Sequence, residues 1–316
     1  MKIMGIVAGR RGGNSEILVK EALSACQEAG AECLLINLFD YNIRHCTGCE
    51  SCTMQMGQVA MDPSKKYKGC VLKDKDDMDK IVNVMQTCNG VIIGVPTYDL
   101  TPSALYLTFA QRFLAYELSF RMQIGDVKED PHTVGGLIAV GGSCRDWQTL
   151  SLDAMGATMF TQSIRVVDQM MATRNGRPGN VLLRPEQLER ARKMGEHIVA
   201  AVQTPVEERH WMGEPDFGMC PNCHSSLIYK GEKHWDGIQF PFECAVCGAG
   251  GDLVPDGNGS YKFVLAENGL IRDRNINAAR AEHLNEIMET RKDFMSRQGE
   301  VADLKKKYQE MKFPAV

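Results

Sequence analysis

The chain of 316 residues is long enough for about two domains, and its 44% apolar and 24% charged residues place it with globular rather than disordered or fibrous proteins. Its 36 basic against 40 acidic side chains leave a net charge of −4, which gives no electrostatic ground for holding nucleic acid or an anionic membrane. No apolar run reaches the roughly 18 residues needed to span a bilayer and the stretch before Arg10 and Arg11 is too short for a secretory signal, so the expected location is cytoplasmic, where twelve cysteines read as metal ligands rather than disulfides.

Strand-length apolar runs alternate with helical patterns through the first two hundred residues. Strands are expected at Lys2–Ala8, Glu32–Asn37, Gly90–Val95, Val134–Val140 and Ser163–Asp168. Helices are expected at Asn14–Ala29, Asp76–Thr87, Pro102–Leu118, Thr149–Thr158 and Pro185–Gln203. Five such units predict an α/β fold with a flavodoxin-like, doubly wound, five-stranded parallel sheet of order 2-1-3-4-5, whose ligands bind beyond the C-terminal strand ends. Near Thr204 the rhythm stops, and Pro205, Trp211, Pro215 and a Gly/Cys-rich stretch to about Gly259 announce a small second module. Ala278–Met311 reads as a terminal helix interrupted at Gly299. The expected units are therefore 1–205, with a cysteine-rich loop at 44–76, then a ribbon-like module at 206–265 and a helical segment at 266–316.

Three loops after strands carry binding chemistry. The first strand runs into Gly9, Arg10, Arg11, Gly12, Gly13, Asn14 and Ser15 at a helix start, where turned backbone amides, the helix dipole and the Asn14 or Ser15 side chain suit a phosphate. Neither a dinucleotide fingerprint nor a nucleoside triphosphate loop fits it. The third strand ends in Pro96, Thr97, Tyr98 and Asp99, and the fourth in Gly141, Gly142, Ser143, Cys144 and, further on, Trp147. A phosphate site beside two loops able to border a planar ring describes FMN, with a buried-anchor role as the alternative for Tyr98 and Trp147. The loop from Thr173 to Gly179 follows the fifth strand; Arg174 and Arg177 read as solvated charge before a role at the same cleft.

On these loops the N-terminal half resembles the NADPH-dependent FMN reductases, and within them the iron–sulfur flavoproteins. Their first loop usually holds Ser-Pro where this chain has Gly9-Arg10-Arg11. The resemblance implies phosphate contacts from Asn14 and Ser15, and after them from Arg10 and Arg11.

Cys46, Cys49, Cys52 and Cys70 follow the second strand as C-x2-C-x2-C-x17-C, a triple run that suits a 4Fe–4S cluster better than zinc, with Cys70 set apart by the insertion Thr53–Gly69. The iron–sulfur flavoproteins are similar here too, with a compact cysteine motif after strand two. Cys220, Cys223, Cys244 and Cys247 form two C-x2-C knuckles twenty residues apart, a zinc-ribbon spacing that a rubredoxin-like iron also uses, although His224 stands where rubredoxins place Gly. Cys26, Cys33 and Cys88 read as core thiols, Cys144 as packing before redox, and His132, His197, His210 and His283 have no partner in sequence.

The reading is an FMN-dependent oxidoreductase in which a 4Fe–4S cluster relays electrons to an acceptor the sequence does not identify; the alternatives are an electron carrier and a redox-sensing nucleic-acid binder. FMN carries the chemistry, so no catalytic acid or base is demanded. The resemblance implies ferredoxin or NAD(P)H as donor and a homodimer or homotetramer.

Overall fold

The computed structural model describes residues 1–314. In chain order the first domain contains β1 (Lys2–Val7), α1 (Asn14–Glu28), β2 (Glu32–Asn37), α2 (Ser51–Met61), α3 (Met78–Met85), β3 (Gly90–Tyr98), a two-residue β4 (Thr101–Pro102), α4 (Ala104–Ala110), α5 (Leu118–Gln123), β5 (Val134–Val140), α6 (Ser151–Met159), β6 (Arg165–Ala172) and α7 (Pro185–Gln203). The parallel strands lie in the order β2-β1-β3-β5-β6, with β4 turned back antiparallel on the end of β3. Counting only the parallel strands, this is the expected 2-1-3-4-5.

β1 is apolar at nearly every position because both faces of the sheet are covered. On one face Met4 and Ile6 meet α3, α4 and α6 through Ile81, Phe109 and Met155. On the other, Ile3 and Val7 meet α1 and α7 through Leu18, Val19 and Ile198. Here α1 is clasped closely. A Cβ on Gly94 would stand 2.9 Å from the Ser15 carbonyl oxygen, and one on Gly195 would stand 2.1 Å from that of Ala22.

The second module is a four-stranded antiparallel sheet, β7 (Ile228–Lys230), β8 (Phe242–Cys244), β9 (Gly250–Pro255) and β10 (Tyr261–Leu265), over a small core of Cys220, Cys244, Cys247, Val246, Ala249 and Phe263. Polar bonds seat it on the first domain. Buried Asp153 of α6 accepts from the Ser225 hydroxyl at 2.6 Å and the Ser226 amide at 3.3 Å, and the Gln169 amide of β6 donates to the Cys223 carbonyl at 3.2 Å. Two helices end the chain, α8 (Asn277–Ser296) and α9 (Gln298–Glu310). α8 returns to the first domain, where buried Arg280 donates to Glu117 at 3.1 Å and Leu284 packs with Met56 and Phe120. No helix among the described residues is long and apolar enough to cross a membrane.

Several boundaries differ from expectation for local reasons. β6 starts at Arg165 rather than Ser163, because Ser163 takes a left-handed φ of 51° that closes the preceding turn. The helix expected over 102–118 is α4, a 3-10 segment over Gln111–Tyr116, and α5; Glu117 stops the run by turning out to cap α5, accepting from the Ser119 amide at 3.1 Å. The insertion expected as part of a loop contains α2. The terminal break falls at Arg297, whose guanidinium clamps Glu300, and Gly299 lies inside α9.

Replacing Gly195 by Ala forces α7 away from α1, so urea unfolding should show stability reduced by about 1–3 kcal/mol at an unchanged m-value. An unaltered midpoint would show that the close contact carries no energetic weight.

Candidate functional site

The strand ends of β1, β3, β5 and β6 converge on one cavity of about 250 Å³. β1 and β3 are locked at their ends: the Ala8 amide donates to Gly94, and the Ser103 hydroxyl, at the cap of α4, donates to the Ala8 carbonyl at 2.9 Å. From the three loops singled out in sequence, Gly9, Arg10, Asn14, Ser15, Pro96, Thr97, Tyr98 and Gly142 line the cavity. Arg11, Asp99, Gly141, Ser143 and Trp147 stand outside its lining. Arg11 turns to an ion pair with Asp40, and Gly141 packs on the side chain of buried Gln148. Tyr98 is 53% exposed and Trp147 63%, which rules out the buried-anchor role for both.

A fourth loop completes the wall. Asn175, Gly176, Arg177 and Pro178 also line the cavity; Arg177 is exposed, as its solvated-charge reading expects, and borders the cleft as well. The signal was the Asn-Gly pair after a strand. This loop is zipped to the one after β5: the Arg174 amide donates to Ser143 and the Asn175 amide to Gly141, both at 2.9 Å. A Cβ on Gly142 would lie 3.1 Å from the Gly176 Cα, so a side chain at Gly142 would push the two loops apart.

Asn14 does not cap its helix. Gly13 is the N-cap, and the Asn14 side chain donates to the carbonyls of Asn175 and Arg177 at 2.9 Å each and accepts from the Val181 amide at 3.2 Å. It thereby ties the helix start to the fourth loop. Glu16 accepts from the Gly12 amide at 3.1 Å. Burial would raise its pKa, but the hydrogen bonds from Lys20, Gly12 and Asn37 outweigh this and lower it, so the carboxylate stays ionised. Asn175 is buried, with its amide nitrogen given to Thr173 and Gln187, and its Oδ1 has no partner. An unpaired buried acceptor costs about 1–3 kcal/mol unless something donates to it. Two cations, loop amides, a buried hydroxyl at Ser15 and an acceptor without a donor fit a phosphate joined to a polyol, and the exposed Tyr98 at the rim fits a planar ring. The donor set is one that FMN would fit.

The first cysteine set gathers as well. Gln55 of α2 donates to the Gly69 carbonyl at 3.1 Å and accepts from the Lys68 amide at 2.9 Å, folding the insertion back along its own helix. Cys46, Cys49, Cys52 and Cys70 then line one small cavity of about 70 Å³ beside Arg112 and Leu114. Long spacing in sequence thus conceals proximity.

In the second set all four Sγ atoms lie within 4.8 Å of one another, with Cys220–Cys247 at 3.6 Å and Cys223–Cys244 at 3.5 Å. A tetrahedral zinc with Zn–S bonds of about 2.3 Å calls for sulfurs about 3.8 Å apart. The knuckle turns place His224 at φ 56° and Gly248 at φ 79°; His224 tolerates the strain while its ring stacks 4.1 Å from that of Trp211. Of the other cysteines, Cys26 is buried and its thiol is pushed up to about 12 by burial, as a core thiol should be, whereas Cys144 is exposed. His197, without a partner in sequence, meets buried Asp168 at 2.8 Å. Arg112 was missed because an isolated residue carries no pattern until the chain folds around it.

The family profile of NADPH-dependent FMN reductase matches residues 1–174. A flavone synthase of Aspergillus candidus is 25% identical over 288 residues, covering 85% of this chain and 83% of that protein. An iron–sulfur flavoprotein of Methanocaldococcus jannaschii is 28% identical over 211 residues, 64% of this chain and 98% of its own length. The solved structure of a flavone reductase covers 100% of this chain and 99% of its own, at 24% identity and a TM-score of 0.77, and so shares the fold of both modules and the tail. The chain belongs to the NADPH-dependent FMN reductase family and is an FMN-dependent oxidoreductase.

A ribbon core this small buries too little apolar surface to fold alone, so Cys244→Ser, which removes one of its four converging sulfurs, should make residues near 210–260 sensitive to protease while the flavin domain stays folded. A protease-resistant ribbon in that variant would contradict this dependence.

Proposed function

We propose that this oxidoreductase binds FMN at the four-loop cavity, a 4Fe–4S cluster on Cys46, Cys49, Cys52 and Cys70, and zinc on Cys220, Cys223, Cys244 and Cys247. The observation that carries this reading is that Cys46, Cys49, Cys52 and Cys70, the last of them distant in sequence, line a single cavity on the chain that also carries the flavin cavity. The working units are 1–205 for flavin and cluster, 206–265 for the ribbon and 266–316 for the helical tail.

At the flavin cavity, Arg10 and Arg177 supply positive charge for the phosphate, and Ser15 and the loop amides donate to its oxygens. Asn175 accepts from a hydroxyl of the polyol, and Asn14 keeps the loop that presents Asn175 and Arg177 in place. Tyr98 offers an exposed ring at the cavity for the flavin, and Trp147, exposed in the loop after β5, offers a second ring to a planar molecule. When bound, FMN exchanges the electron pair of a nicotinamide for single electrons, and a cluster handles single electrons. Ferredoxin or NAD(P)H is the donor. Exposed Leu182 and Leu183 with Trp147 leave apolar surface that a homodimer or homotetramer would cover.

For the acceptor, the support is the extent of likeness. The iron–sulfur flavoprotein relative matches 64% of the chain, whereas the flavone synthase relative matches 85% and the solved flavone reductase covers all of it, and in the reductase's name it is the flavone that takes the electrons. A flavone-class molecule, planar and aromatic with a conjugated carbonyl, suits a site with exposed aromatic rims.

Protein purified without oxygen should contain about one FMN, about four iron atoms and about one zinc per chain. Cys49→Ser should lose its iron and its ferredoxin-linked flavin reduction, while dithionite still reduces the flavin. Iron and ferredoxin activity retained in that variant would refute the relay. Removing the Ser15 hydroxyl and the Arg177 charge together should weaken FMN at least tenfold, since each charge-assisted bond contributes about 1.5–3 kcal/mol; an unchanged dissociation constant would remove the phosphate assignment. Steady reoxidation of the reduced protein by a flavone would support the acceptor class, and reoxidation only by unrelated acceptors would reject it.

A further inference from the structure

Arg112 lies in the 3-10 segment between α4 and α5, is only 2% exposed and is among the largest fully buried side chains of the protein. A buried guanidinium is expensive unless its hydrogens are paired, and an apolar side chain of similar volume would fill the place at less cost. Its partners explain the position. Nη1 donates to the Arg44 carbonyl at 2.8 Å and to the carboxylate of Asp76, while Nη2 donates to the Cys70 sulfur at 3.4 Å. Nε is buried without a partner.

Those contacts join the two chain segments that deliver the cysteines. Asp76, whose side chain is fully buried, also accepts from the Arg44 amide at 3.2 Å. One residue on, Asp77 accepts from the Asn42 amide at 2.9 Å and its own amide donates to the Asn42 carbonyl at 2.8 Å. The segment entering Cys46 is therefore stitched to the segment leaving Cys70, and Arg112 stands at the stitch and lines the cavity that all four cysteines line. Asp76 already balances the guanidinium charge, so the bond to sulfur acts by direction: a fork that reaches a carboxylate, a carbonyl and a thiolate at once, which a lysine ammonium cannot copy.

We propose that Arg112 is the positioning residue of the cysteine cluster: it holds Cys70 as the fourth ligand despite the long insertion, and by donating to the Cys70 sulfur it raises the reduction potential of the cluster. This rests on the reading of Cys46, Cys49, Cys52 and Cys70 as a 4Fe–4S site. Hydrogen bonds to ligand sulfurs stabilise the more negative, reduced cluster, and potentials follow.

The test uses the full-length protein purified without oxygen. In Arg112→Lys and Arg112→Met the cluster midpoint, read by EPR during a redox titration, should fall by at least a tenfold change in the reduction equilibrium, about 59 mV for one electron. FMN content should stay as in the wild type. A variant that keeps its iron and an unshifted midpoint would show that Arg112 only props the fold, and would overturn the proposal. Should both variants fail to fold, wild-type protein carrying guanidino-15N arginine provides the decision: the reduced cluster should show 15N coupling in pulsed EPR, and its absence would overturn the proposal equally. Wild-type protein without iron would instead sink the underlying cluster reading, an outcome distinguishable from an iron-loaded cluster that ignores Arg112.

Discussion

The close seating of α1 is the constraint on which the flavin end of the molecule depends. At Gly94 the sheet has no side chain where α1 begins, and at Gly195 α7 presents bare backbone to the carbonyl of Ala22. With both contacts closed, the helix start stands directly over the end of β3, and the first loop has no freedom to turn its amides elsewhere. Asn14 extends the same constraint by binding the carbonyls of Asn175 and Arg177, so the fourth loop is positioned from the first. The cavity is thus a consequence of helix packing more than of any single loop motif.

A second organising theme is the use of buried polar contacts at the seams. Arg112 with Asp76 joins the cysteine-bearing segments, Asp153 with Ser225 and Ser226 seats the ribbon, and Arg280 with Glu117 returns α8 to the first domain. Such contacts add little net stability compared with apolar packing, but they are intolerant of misregistration because an unpaired buried charge is costly. They suit a protein whose metal-bearing parts must meet in one arrangement. Arg145 shows the consequence: it lies in the loop after β5, and it donates to the Phe217 carbonyl and the Ser226 hydroxyl of the ribbon side, so ribbon and flavin loop share an anchor.

The sheet order and the main helices were legible because apolar runs such as Lys2–Val7 and Val134–Val140 have one physical reading in a doubly covered sheet. Cysteine spacing was equally direct for the two knuckles, whose sulfurs meet as their spacing requires. What escaped sequence reading depends on tertiary partners. Asn14 was read as a phosphate contact and also ties two loops together; Arg177 is the exposed charge it was read to be but also borders the cavity; Arg112 carried no pattern at all. Helix α2 was hidden because Cys52 and Gly57 resemble loop residues, and only its apolar contacts through Met56 and Val59 bury it.

The central claim is that one chain carries a flavin, an iron–sulfur cluster and a separate zinc in three different sites. Anomalous diffraction from crystals of the anaerobically prepared protein, collected on both sides of the iron and zinc edges, tests it directly. The account predicts an iron signal among Cys46, Cys49, Cys52 and Cys70, a zinc signal among Cys220, Cys223, Cys244 and Cys247, and FMN density between Ser15, Asn175 and Gly142. Zinc among the first four cysteines, or no metal there beside full flavin density, would contradict it.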